Sequence, residues 1–241
     1  AIPAVIAAVL SLPVIGYAFW RGGMGLQVLA LCGALFTIPV AGALVQMKLA
    51  ADAHPFIHDI TTDFRNPPQI VQAANAPRSN PARYMGTDPV PGAGAITVAE
   101  AQREAYPDLR PMELEQPIEA IAAAARHSLS IMGLTIIQSG PETSIMPRDD
   151  GGPKGGDWRI EAIATSGWFG FTDDFIIRLQ PVTDKPGINR VDVRSKSRVG
   201  MSDLGANAAR IIEFQRLLED RLATRRNWGQ PGNQAATPTD S

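Results

Sequence analysis

The chain has 241 residues, with 22 Lys and Arg against 24 Asp and Glu and a formal net charge of −2 at pH 7. That balance excludes a general electrostatic pull toward nucleic acid, which is not expected among the partners. The hydrophobic fraction is 45% and the charged fraction 19%, yet Arg21 and Lys48 are the only charged residues before Asp52, which excludes a uniformly water-soluble chain.

Residues 1–20 (AIPAVIAAVLSLPVIGYAFW) and 26–47 (LQVLALCGALFTIPVAGALVQM) carry no charge. About 20 apolar residues in a helix cross the hydrocarbon core of a bilayer. In lipid every backbone polar group needs an internal partner, so each run is expected to be a transmembrane helix. Tyr17, Phe19 and Trp20 cluster at the end of the first run, where an interfacial aromatic belt belongs. The link RGGMG (21–25) is short, so residues 1–51 read as an antiparallel membrane hairpin. The chain starts at Ala1 rather than Met, which leaves room for a further helix upstream. Arg21 and Lys48 supply one cation each, and the positive-inside rule barely decides the orientation between them. The single cysteine, Cys32, lies in the second run, so no intrachain disulfide is expected.

Residues 52–116 are broken by Pro and Gly at NPP (66–68), NPAR (80–83), DPVPGAGA (88–95) and YPDLRP (106–111). Only short elements fit, such as a turn of helix near Val98–Glu104. A stretch this long without strong elements reads as an irregular arm, laid over a folded core, over a partner or along the membrane.

From residue 117 the periodicity sharpens. PIEAIAAAARHSLSIMG (117–133) reads as a helix with Pro117 at its first position and Gly133 as its stop. LTIIQS (134–139) reads as a strand. Alternation marks three more. Trp158, Ile160, Ala162 and Ala164 share one face of the first. Phe175, Ile177 and Leu179 share one face of the second. Val191, Val193 and Val199 point inward from the third, with Asp192, Arg194, Lys196 and Arg198 outward. A last helix, 204–224, aligns Leu204, Ala208, Ile211, Leu218 and Leu222, with Asp203 or Ser202 as its N-cap. The expected fold is α+β: two N-terminal transmembrane helices, then a two-layer domain (117–226) with a four-stranded antiparallel sheet covered by two helices. The other sheet face is expected to be charged and open. The polar tail (227–241) would be disordered on its own.

The densest polar group is DVRSKSRVGMSDLGANAARI (192–211). Arg194, Lys196 and Arg198 lie on one strand face beside a helix N-terminus, an arrangement suited to an anion or a lipid headgroup. The competing and favoured reading is structural. Arg159, Glu161, Asp174 and Arg178 would pair across strands with the charges of the last strand, and Asn207 and Arg210 would tie the final helix to loop carbonyls. His54 and His58, with Asp59 and Asp63, are the only metal-like spacing, but Pro55 spoils a helical i, i+4 pair. HDITTD is better read as a turn whose side chains bond local backbone. No phosphate loop, nucleophile elbow or dinucleotide fingerprint occurs, and no cofactor or metal is expected.

Several stretches resemble a domain family of unknown function, DUF1499: IHDITTDFRNPP (57–68), EAYPDLRP (104–111), WRIEA (158–162), GFTDDFIIRL (170–179) and above all RVDVRSKSRVGMSDLGANAARI (190–211). The resemblance spans about residues 55–222. It implies N-terminal membrane helices in a bacterial inner membrane with the domain on the periplasmic side, hence Arg21 inside, and it brings no reaction. The expected function is a non-enzymatic accessory subunit of an integral membrane complex, in contact with membrane lipid. The rivals are an anion or headgroup binder using Arg194, Lys196 and Arg198, and a hydrolase or metal enzyme using His58, Asp59 and Asp63.

Overall fold

The computed structural model describes residues 13, 15–17, 19–21, 23–141, 157–166 and 170–228. The chain divides into two compact units, Ala1–Pro55 and Phe56–Ser241.

The first unit contains α1, Met24–Ala53, a helix of 30 residues with Pro39 inside it. It is long and apolar enough to span a membrane. Its apolar residues spread around the whole circumference, as a helix surrounded by lipid requires. Most of the first apolar run, and with it the expected hairpin partner, lies outside the described residues; residues 13, 15–17 and 19–21 are helical. Among the described residues there is one helix that qualifies as a candidate membrane span.

The second unit is built on a six-stranded antiparallel sheet, not the four strands that alternation alone suggests. Its elements are β1 (Asp59–Thr61), α2 (Val98–Ala105), β2 (Met112–Leu114), α3 (Ile118–Ile131), β3 (Thr135–Pro141), β4 (Trp158–Thr165), β5 (Thr172–Pro181), β6 (Asn189–Ser197) and α4 (Ala206–Trp228). The strand order is β1-β6-β5-β4-β3, with β2 also on β6. The two added strands come from the segment read as an arm. Asp59 pairs with Lys196 and Met112 with Val191, so β1 and β2 share the outer edge of β6. Three-residue strands have no readable period, and they form here because β6 offers a free edge.

The helices cover one sheet face as expected. Ile121, Ala125 and Leu129 of α3 and Ala208, Ile211, Phe214 and Leu218 of α4 pack on Ile160, Phe175, Ile177, Leu179, Val191 and Val193. Phe175 and Phe214 meet edge to face at 5.4 Å. Pro117 is the N-cap of α3 rather than its first residue, and Gly133, at φ 71°, ends that helix in the left-handed conformation. Leu204 is not on the α4 stripe: it has φ 53° and precedes the helix. Val199 is not inward either. β6 ends at Ser197, and Val199 is exposed.

The larger correction concerns the second sheet face. It is charged but not open. Residues 68–85 fold over it, and Ile70 and Ala73 pack on Ile176 from β5. The expected disordered tail lies outside the described residues from 229 onward.

Candidate functional site

Alternation sends the even-numbered residues of β6 to the covered face, where they meet Asp59 of β1. Asp59 is the hub. Its Oδ1 accepts from Arg194 Nε at 2.8 Å, and its Oδ2 accepts from Arg194 Nη2, Lys196 Nζ and the Met85 amide, each at 3.0 Å. Arg194 and Lys196 are both fully buried. Arg194 also donates to the carbonyls of Pro68 (3.1 Å) and Ala82 (3.2 Å), and Lys196 to that of Arg83 (2.8 Å), so the cations staple the covering segment to the sheet. The Tyr84 ring lies 5.4 Å from the Arg194 guanidinium. Gly86 is needed beside it, since a Cβ there would come within 2.1 Å of the Tyr84 ring.

Burial by itself raises the Asp59 carboxyl. The charges and hydrogen bonds of Arg194 and Lys196 outweigh it and hold the group below the ordinary carboxylate range. Lys196 is shifted down: burial disfavours its charge, Arg194 and Arg78 add repulsion, and Asp59 offsets only part of this. Burial pushes the Tyr84 hydroxyl up, with Asp59 adding to it.

Three more clusters complete the face. Asp174 accepts from Arg78 Nη2 at 2.7 Å and from Arg198 Nε and Nη2 at 2.9 and 2.7 Å. Asp192 takes Arg178 and Arg190 at 2.8 Å each, and Asp63 takes the same pair at 3.2 and 3.0 Å. Asp63 also caps a turn through the amides of Arg65 and Asn66, the local bonding that HDITTD suggests. Glu161 accepts the successive amides of Val71, Gln72 and Ala73 at 2.9, 3.0 and 3.3 Å, and Arg159 donates to the Gln69 carbonyl.

On the helix side Asn207 is the key residue. It donates to the His58 carbonyl (3.2 Å) and to Ser197 Oγ (3.0 Å), and accepts from Ser195 Oγ (2.5 Å) and Arg210 Nη1 (2.7 Å). Arg210 reaches Asp173 at 2.9 Å. Asp203 caps α4 through the amides of Gly205 and Asn207 at 2.9 and 3.0 Å, and its burial raises its carboxyl. His58 places Nδ1 at 3.2 Å from the Met201 carbonyl.

The structure thus brings Asp59, Arg194 and Lys196 together, Asp63 with Asp192, and Asn207 with Arg210. It does not bring His58, Asp59 and Asp63 into one ligand set, because each carboxylate is held by its own pair of cations. Among the described residues no three His, Cys, Asp or Glu side chains converge as a metal site. Two residues escaped the sequence reading. Gln102 of α2 is fully buried and bonds both backbone groups of Thr61, at 3.1 Å (amide) and 2.7 Å (carbonyl), capping the outer edge of β1 as a neighbouring strand would. Arg78 comes from a loop with no periodicity. The turn of helix expected near Val98–Glu104 contains Gln102, and the capping box (Thr97, Glu100) marks its start, but neither signals that the Gln102 side chain reaches Thr61.

No curated protein and no solved structure gives a significant match to the chain. A family model described as "Protein of unknown function (DUF1499)" matches residues 59–218, from the first residue of β1 into α4. That span holds Asp59, its two cations and the whole sheet, and the chain belongs to this family.

Proposed function

We propose that the chain is a membrane-anchored accessory subunit of a larger integral membrane complex, without catalysis of its own, with its domain on the periplasmic side of a bacterial inner membrane. The observation that carries the non-catalytic part is the saturation of the covered face. Asp59, Asp63, Asp174 and Asp192 are each held by two cations, and Glu161 by three backbone amides. A general acid or base needs a pKa near the working pH and a route to substrate. Asp59 is shifted away from neutrality and sealed under residues 68–85. Such a network fits a module whose task is to hold a shape. The anchor part rests on α1, which fits a bilayer by length and composition. The test is purification from native membranes in mild detergent. Stoichiometric co-migration with another membrane protein is expected, and migration of the chain alone refutes the reading.

One observation favours a second reading, binding of an anion. Among the described residues Arg78, Arg194, Lys196 and Arg198 share two carboxylates, Asp59 and Asp174, and Arg78 keeps buried Nε and Nη1 donors without a partner there. Inorganic phosphate should then raise the melting temperature of the wild type but not of Arg78→Gln. No shift in the wild type ends this reading.

A further inference from the structure

Among the described residues of the domain, most exposed large apolar side chains lie at one end of the sheet. β1, β3 and β5 begin there, and β4 and β6 end there. Hydrogen bonds tie this end together: Ser197 N to His58 O (3.0 Å), Arg198 N to Thr172 O (3.1 Å), Asp203 N to Ile57 O (3.1 Å) and Ser166 N to Phe171 O (2.9 Å). α3 closes on the same end, since only Met132–Leu134 separate it from β3. Among the described residues of the domain, seven large apolar side chains are exposed, and five of them sit here: Phe56, Ile131, Phe171, Val199 and Met201. Phe171 and Met201 are 54% and 63% exposed. Apolar side chains gathered at one rim mark an interaction surface rather than chance exposure.

Chain connectivity bounds what can cover it. Only residues 54–58 separate α1 from β1. Fully extended, they reach about 20 Å at most. Lys48 and Asp52 pair at 2.6 Å near the end of α1, where the apolar run gives way to charge. A linker this short bounds how far the start of β1 can stand from the end of α1, whereas the β5–β6 turn around Asp184 lies at the far end of strands 9–10 residues long. We propose that this rim rests in the lipid interface, with Phe56, Phe171 and Met201 entering the boundary between headgroups and acyl chains. The proposal rests on the membrane-anchored reading of α1. The apolar face of an interfacial amphipathic helix settles roughly 5–10 Å into that boundary, which sets the scale for such a contact. Phe and Met suit the task, because they bring apolar area with no charge to desolvate.

The test uses the full chain reconstituted in phosphatidylcholine vesicles with a minor share of phosphatidylglycerol. Spin labels are placed singly: on native Cys32, and, in a Cys32→Ala background, on Phe171→Cys, Met201→Cys or Asp184→Cys. Collisions with oxygen report lipid, and collisions with a water-soluble nickel chelate report water. Expected are oxygen-favoured labels at 32, 171 and 201 and a nickel-favoured label at 184. If 171 and 201 behave like 184 while 32 stays in lipid, the rim proposal is overturned and the anchor stands. Labels at 171 and 201 shielded from both reagents also overturn it, since protein and not lipid then covers the rim. A nickel-favoured label at 32 removes the anchor and the proposal together.

Discussion

Asp59→Asn is the perturbation that probes the charged face most directly. The substitution keeps the size of the side chain and one oxygen acceptor but removes the charge that faces Arg194 and Lys196. Both cations are fully buried. Breaking a buried ion pair by removing one partner costs about 3–5 kcal/mol, because the remaining charge stays desolvated. For a domain of this size about 1 kcal/mol shifts the melting temperature by roughly 2–4 °C, so a fall of about 6–20 °C is expected. The reciprocal change should be milder. Lys196→Met leaves Asp59 with Arg194, bonded through both Nε and Nη2. It fills the stem volume of the lysine and removes a charge that burial already disfavours. Its cost should be about 2 kcal/mol, from the lost bonds to Asp59 Oδ2 and the Arg83 carbonyl less the relieved desolvation of the ammonium. The assay is thermal and chemical unfolding of the full chain in detergent, followed by circular dichroism in the β region. Equal losses for the two variants, or a loss under about 1 kcal/mol for Asp59→Asn, would refute the reasoning that two buried cations depend on one carboxylate.

The same residue sets a pH dependence. The Asp59 carboxyl is lower in the folded chain than its ordinary 3.8, so its contribution is present above that value and is lost as pH falls through the folded pKa. The stability gap between wild type and Asp59→Asn should therefore narrow below about pH 3.8, and a gap that stays constant to the acid limit counts against it. Glu161→Gln weakens three amide contacts at residues 71–73 without touching the helix-side core, and should cost about 1–3 kcal/mol while speeding tryptic cleavage after Arg78 or Arg83. Unchanged cleavage rates would show that Glu161 does not hold the covering segment. Gln102→Ala leaves the buried amide and carbonyl of Thr61 unpaired and should cost about 2 kcal/mol, read as lower melting and faster amide exchange at Thr61.

The regular half of the domain is legible because its periodicities are long. β4, β5 and β6 run 8, 10 and 9 residues, enough for alternation to declare itself. The cap at Asp203 and the tie from Asn207 to the His58 carbonyl follow from side-chain types beside a helix start, whereas Arg210 meets the side chains of Ser195, Asn207 and Asp173 rather than a loop carbonyl. What escapes is the fate of the polar face. A strand reading Asp192, Arg194, Lys196, Arg198 on one side has the same pattern whether that side meets water or a buried partner. The partner is Asp59, about 135 residues away in sequence, in a three-residue strand with no period of its own. Ile176 was the available hint: an isoleucine on the supposedly wet face of β5 needs a cover, and Ile70 and Ala73 supply it.

Those buried charges do more to define the fold than to stabilise it. β1 has three residues and little intrinsic preference for one register. A slip of one residue against β6 would turn Asp59 into the apolar cluster around Ile60 and Val193, and Ile60 into the cations. An ionised carboxylate buried without a partner is among the costliest errors a chain can make. The pairing of Asp59 with Arg194 and Lys196 thus rejects the slipped register, which apolar packing on both faces would otherwise tolerate. The triple replacement Asp59→Leu, Arg194→Met and Lys196→Met separates the two roles. Swapping a buried ion cluster for apolar groups of similar volume is often neutral or stabilising by about 1–4 kcal/mol. The loss of partners at the Pro68, Ala82 and Arg83 carbonyls and the Met85 amide offsets that gain, so the variant should melt below the wild type but above Asp59→Asn. It should also lose the slow exchange of the Thr62 and Ser197 amides, which donate to Val193 and His58 across this pairing. Slow exchange retained at both amides would mean that register comes from the apolar side alone.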